Sequence, residues 1–208
     1  MFIIDNKDPS YCLIQAVYRY YPVGFNLTNI QYPGFKHLNE LIAQKHPLPS
    51  KVKNFELELT KKLKGYFIST NHEHPVPNYS FTIHLANKDY ASLEHILHLN
   101  VNISLLVNYY TIYYASYVKH KNNYVGTTVL SLEEQIAEGK EKDLEAILGL
   151  LRKYFPDYYF IPHQRLFNLK VRLGTPFDGE YLAIAEPRPV FAYLFEDEGQ
   201  YGTFQVSR

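Results

Sequence analysis

Five of the nine histidines lie between residues 72 and 98, and imidazoles at such short spacing could hold a metal ion. His72 and His74 are two apart in a predicted loop, and His95 and His98 are three apart on a predicted helix, so either pair could share zinc. The stretch EHILH is not the H-E-x-x-H pattern, because its glutamate precedes the first histidine. Solvated histidines account for the same residues, so we expect no metal. The alternative metal ligands are His72, His74, His95 and His98.

The single cysteine, Cys12, could act as a nucleophile. It falls in the first turn of a predicted helix, where the helix dipole lowers the pKa of a thiol. His84 could then serve as the base, and Asp89 or Asn87 could orient it. A small thiol among apolar neighbours on a helix is more commonly a packing residue. We therefore expect a structural Cys12 and no catalytic residue, with Cys12, His84 and Asp89 as the alternative catalytic set.

Composition and motifs exclude several classes of protein. Neither the P-loop pattern nor G-x-G-x-x-G occurs, which argues against nucleotide cofactors of those types, and we expect no cofactor at all. The chain has 21 basic and 21 acidic side chains, and this zero net charge argues against nucleic acid as a partner. No polybasic block indicates a membrane partner.

Aromatic side chains are the main compositional excess, with 20 tyrosines and 13 phenylalanines among 208 residues. Residues 108–117 alone hold five tyrosines. Tyrosine is favoured at interfaces, because it buries a large ring and keeps a hydroxyl for a partner. An acidic hairpin tip at residues 196–198 suits a basic partner surface. The predicted contact residues are Tyr110, Tyr114, Glu196, Asp197, Glu198 and Tyr201.

Hydrophobic periodicity predicts the elements that must position these side chains. Helices are predicted within residues 8–22 and at 35–46, 51–64, 90–99 and 144–155. Strands are predicted at 66–69, 79–85, 165–173, 180–185, 190–195 and 201–206. Residues 101–119 fit a helix or a strand. Their Val, Ile, Thr and Tyr content favours a strand with residues 101, 103, 105 and onward to 117 on one face, bent or broken near Asn108.

This order of elements predicts an α+β fold, with a mainly antiparallel sheet and several amphipathic helices in a single globular domain covering residues 1–208. The first part is predicted to be helix-rich and the C-terminal part strand-rich. One cysteine excludes an internal disulfide, and no signal peptide is evident, so we expect a cytoplasmic protein, bacterial in origin.

The functional expectation is a non-catalytic protein-binding protein, by analogy of class a bacterial immunity protein that inhibits a cognate toxin through a basic toxin surface. Two alternatives stay open. One is a hydrolase that uses a His-bound metal or the Cys12 thiol. The other is a small-ligand binder with a tyrosine-lined pocket.

Overall fold

The computed structural model describes residues 9–21, 32–120, 123–131, 140–171 and 187–195. The helices are α1 Pro9–Tyr20, α2 Pro33–Ala43, α3 Ser50–Lys62, α4 Glu141–Tyr154, α5 His163–Asn168 and α6 Val190–Leu194. The strands are β1 Phe67–Thr70, β2 Asn78–Tyr90, β3 Leu93–Ser104, β4 Tyr109–His120, β5 Asn123–Ser131, β6 Tyr159–Phe160, β7 Lys170–Val171 and β8 Arg188–Pro189.

The main sheet is an antiparallel meander in the order β1-β2-β3-β4-β5. The outer side of β4 is shared by two strands. β5 pairs antiparallel with residues 113–120 of β4, and the short β6 pairs parallel with Tyr109 and Tyr110. β7 and β8 form a separate two-residue ladder. The predicted α+β class with a mainly antiparallel sheet is confirmed.

Helices cover both faces of this sheet. On one face, Phe55 of α3 and Ile147 of α4 pack with Phe81, Val101 and residues near them in a large apolar cluster. On the other face, α1, α2, α5 and α6 form a second cluster that includes Tyr113 and Ala115 of β4. Because successive side chains of a strand alternate between faces, β4 contributes to both clusters.

Four helices begin and end close to the predicted bounds, because their stop signals are local. Pro156 follows α4, and Gly65 follows α3 with a φ of 102°, a left-handed conformation that glycine adopts without strain. α2 approaches α1 closely at Gly34, where an added Cβ would meet the carbonyl oxygen of Arg19. None of the helices in the described ranges is both long and apolar enough to cross a membrane.

The helix predicted at residues 90–99 is wrong. β2 and β3 form a long hairpin instead, in which Tyr90 pairs with Leu93 and the ladder continues to Ser104. Leu97, Leu99 and residues beyond them alternate along the same strand, and this period-2 pattern outweighs the local helical spacing of three apolar residues.

The strand favoured for residues 101–119 is broken close to Asn108, as predicted: a turn at residues 105–108 separates β3 from β4. The turn changes the parity of the faces: Val101 and Ile103 pair with Ile112 and Tyr110, respectively. Even-numbered residues of β4 therefore share a face with odd-numbered residues of β3. The prediction that odd-numbered residues share one face is therefore correct for β3, but the odd-numbered residues of β4 lie on the opposite face.

Two predicted C-terminal strands are helical in the described residues. Residues 163–168 form α5 after Pro162, which leaves only Lys170 and Val171 extended. Residues 190–194 form α6 after Pro189, and all five are buried. A short, continuously apolar run does not distinguish a buried strand from a buried helix. The strands predicted at 180–185 and 201–206 fall outside the described residues, so the long strands described lie in the middle of the chain.

Candidate functional site

Aromatic rings are exposed where the edge of β4 passes from β5 to β6. Tyr159 of β6 is 67% exposed, and its ring lies 6.3 Å from that of Tyr109. Phe160 projects to the opposite face of the edge, 5.9 Å from the ring of Tyr110, and is 37% exposed. β6 is held by backbone bonds from Tyr159 N to Asn108 O and from Ile161 N to Tyr110 O, so this edge presents fixed rings.

Helix α1 continues this surface. Its exposed face, with Cys12, Tyr18 and Arg19, joins Leu106 of the β3–β4 turn to line a pocket of about 510 Å³. Tyr18 is 42% exposed. The amphipathic spacing of α1 causes this arrangement, because Leu13 and Val17 are fully buried in the core and turn the opposite stripe to solvent.

Arg165 of α5 lies between the exposed face of α1 and the edge formed by β4 and β6. Its Nη2 atom donates to Ser10 Oγ at 3.0 Å, which joins the start of α1 to α5. The Tyr109 hydroxyl lies in the same neighbourhood: burial, then the nearby Cys12 thiol, raises its pKa, while Arg165 lowers it. We call this the helix–edge surface; its residues are Cys12, Tyr18, Arg19, Leu106, Tyr109, Tyr159 and Arg165.

The composition of the helix–edge surface resembles that of protein interfaces in general. Protein interfaces are enriched in tyrosine and arginine and depleted in lysine and carboxylates, and the helix–edge surface has that composition. Each hydroxyl and guanidinium can bond to a partner while the rings and the arginine stems are buried. The two arginines favour carboxylates or carbonyls on whatever covers them.

Two of the six predicted contact residues, Tyr110 and Tyr114, are in the described part of the chain, and both are buried. Tyr110 and Tyr114 are 7% and 1% exposed and belong to the apolar cluster under α3 and α4. The parity change at the β3–β4 turn places both rings inside, so neither forms part of an exposed surface in this conformation. Glu196, Asp197, Glu198 and Tyr201 lie outside the described residues.

Cys12 is not the buried packing residue that the sequence predicts; it is exposed on α1. Nor does the fold bring Cys12 to His84. Cys12 lines a pocket with Leu106 beyond Ser104, whereas His84 pairs with His98, six residues earlier on β3. At about 3.3 Å per residue this separation is about 20 Å, far beyond a nucleophile–base hydrogen bond. Asp89, paired with Glu94, lies further along the same hairpin.

Because the Cys12 thiol is exposed, its reactivity tests the position of α1. We expect Cys12 to react with a thiol reagent in the native protein, because its side chain is exposed on α1. Colorimetric labelling with and without denaturant measures this. Reaction that occurs only after unfolding would contradict the position of α1.

The four alternative metal ligands occupy three separate places. His72 Nε2 lies 3.1 Å from Glu56 Oε2 of α3, and the backbone carbonyl of His74 accepts a hydrogen bond from Lys45. His95 and His98 project to opposite faces of β3, where His95 Nε2 lies 2.8 Å from Ser116 Oγ. In the part of the chain that the structure describes, no three His, Cys, Asp or Glu side chains are grouped to hold a metal ion.

A ladder of buried amides crosses the second face of the sheet. Asn71 Nδ2 donates to Asn78 Oδ1 at 3.1 Å, Asn78 Nδ2 donates to Asn102 Oδ1 at 3.2 Å, and Asn102 Nδ2 donates to Tyr113 OH at 3.4 Å. Asn78 is fully buried. These bonds join β2, β3 and β4 to the loop after β1, which favours a structural role for the ladder.

Asn78→Ala is expected to lower the free energy of unfolding by about 2 kcal/mol, because it leaves two buried amide groups without this partner. Urea denaturation measures the change. Asn87→Ala is the matched control, since Asn87 donates to Glu94 at the exposed end of the hairpin. Equal effects of the two substitutions would contradict the structural role.

Tyr18, Tyr159 and Arg165, the residues that connect α1 to the edge, are absent from the set that the sequence predicts. The apolar stripe of α1 predicts an inward Tyr18, although Val17 beside it is the buried residue. The signal at Tyr159 is the run DYYFI between Pro156 and Pro162, too short to compete with a longer strand. Comparison with protein families, with curated proteins and with solved structures finds no match to this chain.

Proposed function

We propose that this chain is a non-catalytic protein-binding protein that contacts its partner through the helix–edge surface. The observation that carries the proposal is the 67% exposed Tyr159 ring at a fixed sheet edge, continuous with Tyr109, Cys12 and Tyr18. Burying a ring of that exposure contributes about 2 kcal/mol at about 25 cal/mol per Å². This is the size of a binding hot spot, and tyrosine and arginine are the residues enriched there.

The concrete form we propose is an immunity-type inhibitor of a cognate toxin in the bacterial cytoplasm. An exposed, unpaired Cys12 suits a reducing compartment, where such a thiol persists. The acidic residues 196–198 remain the proposed contact for basic groups of the toxin, while Arg19 and Arg165 take its carboxylates or carbonyls. The partner surface that fits both is one of mixed charge.

Small-ligand binding is less well supported. The 510 Å³ pocket beside Tyr18 lies within the size range of ligand sites. However, among the described residues α1 supplies all of the lining except Leu106, so the described walls come almost wholly from one side. Such a depression fits a protruding side chain of a protein better than an enclosed ligand.

Co-purification tests the proposal. Tagged wild-type chain is expressed with the products of its neighbouring genes, beside a Tyr18→Ser/Tyr159→Ser double variant. Tyr90→Ser is the matched control, because Tyr90 is 55% exposed at the far end of β2. We expect wild type and Tyr90→Ser each to bind one of these gene products and to protect cells that produce it. The double variant should neither bind that product nor protect the cells.

A partner that the folded double variant retains with the wild-type dissociation rate would place the interface elsewhere. Circular dichroism and a melting curve establish that each variant is folded. Arg19→Ala separates the role of charge: it should slow association and reduce its dependence on salt, with a smaller effect on dissociation.

A further inference from the structure

Strand β1 forms an edge of the main sheet, on the far side from β4 and β6. Its four residues, Phe67–Thr70, pair with β2 without a register shift. Proteins commonly protect an edge strand from pairing with another chain by a lysine, a proline or a bulge, and β1 has none of the three. The sequence of β1 therefore does not prevent it from pairing with a further strand.

The outer side of β1 presents backbone groups that point away from β2. The N–H of Asn71 donates to the carbonyl of Ser80 on β2 at 3.3 Å, so the backbone of residue 71 points toward β2. Because successive residues of a strand point to alternate sides, the N–H and C=O groups of Ile68 and Thr70 point outward. No residue in the described ranges bonds to these outward groups. Within those ranges, the edge offers two donors and two acceptors to a partner strand.

A second copy of β1 matches these groups. When two copies pair antiparallel about a two-fold axis at Ser69, Ile68 of each copy lies opposite Thr70 of the other. Each such pair exchanges both N–H and C=O groups, which gives four hydrogen bonds across the axis. A two-fold interface uses the same patch of both copies, so one sequence supplies both sides of the contact.

An exposed aromatic ring adjoins the same edge. Phe67 is 68% exposed, and its ring lies 4.9 Å from the ring of His84 on β2. In the register above, Phe67 lies opposite Asn71 of the second copy, on the same face of the sheet. A strand added at about 4.8 Å from β1 covers part of the exposed ring, so pairing removes apolar surface from water.

The two ends of β1 carry opposite charges. Lys64 is exposed just before the strand, and Glu73 is exposed in the turn after it. Neither side chain belongs to an ion pair with another described residue. Antiparallel pairing brings the start of one β1 to the end of the other, so Lys64 of each copy lies at the same end as Glu73 of the other. The zero net charge of the chain adds no overall repulsion between copies.

We propose that the β1 edge is a self-association surface, through which two copies of this chain join their sheets in a two-fold, antiparallel dimer. The dimer does not rest on the proposed function, because the helix–edge surface lies on α1, α5, the β3–β4 turn, β4 and β6. The contact involves few residues on each side, and interfaces of small area are weak. We therefore expect association that depends on protein concentration.

Sedimentation velocity of the whole chain over a range of concentrations tests the dimer. Wild type should shift from 24.4 kDa toward twice that mass as the concentration rises. Thr70→Pro removes an outward N–H and keeps the bonds to β2, a change that edge strands tolerate. It deletes two of the four bonds and should weaken association by about 10-fold. Tyr90→Ser is the control, because Tyr90 is exposed at the far end of β2, and it should associate as wild type does.

A charge exchange gives a readout that a folding defect cannot imitate. Lys64→Glu should weaken association, because it places like charges together at both ends of the paired strands. Adding Glu73→Lys to that variant should restore association. A monomer at every concentration, unchanged association in folded Thr70→Pro, or a double variant that associates no better than Lys64→Glu would overturn the proposal.

Discussion

Replacing Lys45 with methionine is expected to lower the free energy of unfolding by about 3 kcal/mol or more. Lys45 is fully buried, and its Nζ atom donates to His74 O at 3.0 Å, Val76 O at 3.3 Å and Asn71 O at 3.5 Å. These carbonyls belong to the loop between β1 and β2. Methionine keeps the aliphatic stem but removes all three hydrogen bonds. Asn71 O and His74 O keep backbone donors, so the cost is that of losing hydrogen bonds from a charged group, about 1.5–3 kcal/mol each.

Urea denaturation of Lys45→Met beside Lys53→Met measures the effect. Lys53 is exposed on α3, so its replacement removes a charge and a long side chain without removing buried hydrogen bonds. A cost for Lys45→Met that equals the cost of the control would contradict the role of Lys45 in holding the loop.

Acid should destabilise the fold through His163. This side chain is 4% exposed, with its ring 4.2 Å from Tyr113 and 4.6 Å from Phe191, and burial lowers its pKa from 6.5 to about 3. The unfolded chain therefore binds a proton that the folded chain excludes. The resulting stability is fully present above pH 6.5 and is lost as the pH falls toward about 3. Between pH 6.5 and about pH 4 the loss is about 3 kcal/mol.

His163→Phe removes the titrating group while keeping an aromatic ring in the site. Unfolding free energies measured from pH 7 to 4 should fall less steeply for this variant than for wild type, by about 1.4 kcal/mol per pH unit below pH 6. His37→Gln, at an exposed position on α2, should follow the wild-type curve. A His163→Phe curve parallel to wild type would contradict the burial of a neutral imidazole.

The helices and the fold class could be predicted from sequence because their signals are local. Stripes of apolar residues and stop residues such as Pro156 and Gly65 operate within a few turns. The β2–β3 hairpin could not be predicted at residues 90–99, since the partner of Leu93 is selected by the ladder that continues to Ser104. The sequence of α6 resembles a buried strand. All five of its residues are apolar and buried, so the sequence lacks the alternation of apolar and polar residues that distinguishes a helix from a strand.

The positions of the exposed tyrosines could not be predicted from the sequence. Tyrosine excess indicates recognition, yet one turn at residues 105–108 decides which tyrosines are buried. Tyr110 and Tyr114 enter the core, whereas Tyr109 meets Tyr159, which lies 50 residues later in the chain. Pairing over such a distance leaves no mark in the local pattern. The His84–His98 pair follows the same logic, because only the hairpin register brings the two rings together.

Site-specific photo-crosslinking inside living cells tests the central claim most directly. A photoreactive phenylalanine replaces Tyr159 in one strain and Tyr90 in another, both exposed tyrosines on sheet strands. We expect a discrete protein adduct from position 159, lost when Tyr18 and Arg19 are also changed to serine, and no such adduct from position 90. An adduct formed from position 90 but not from position 159 would contradict a partner bound at the helix–edge surface.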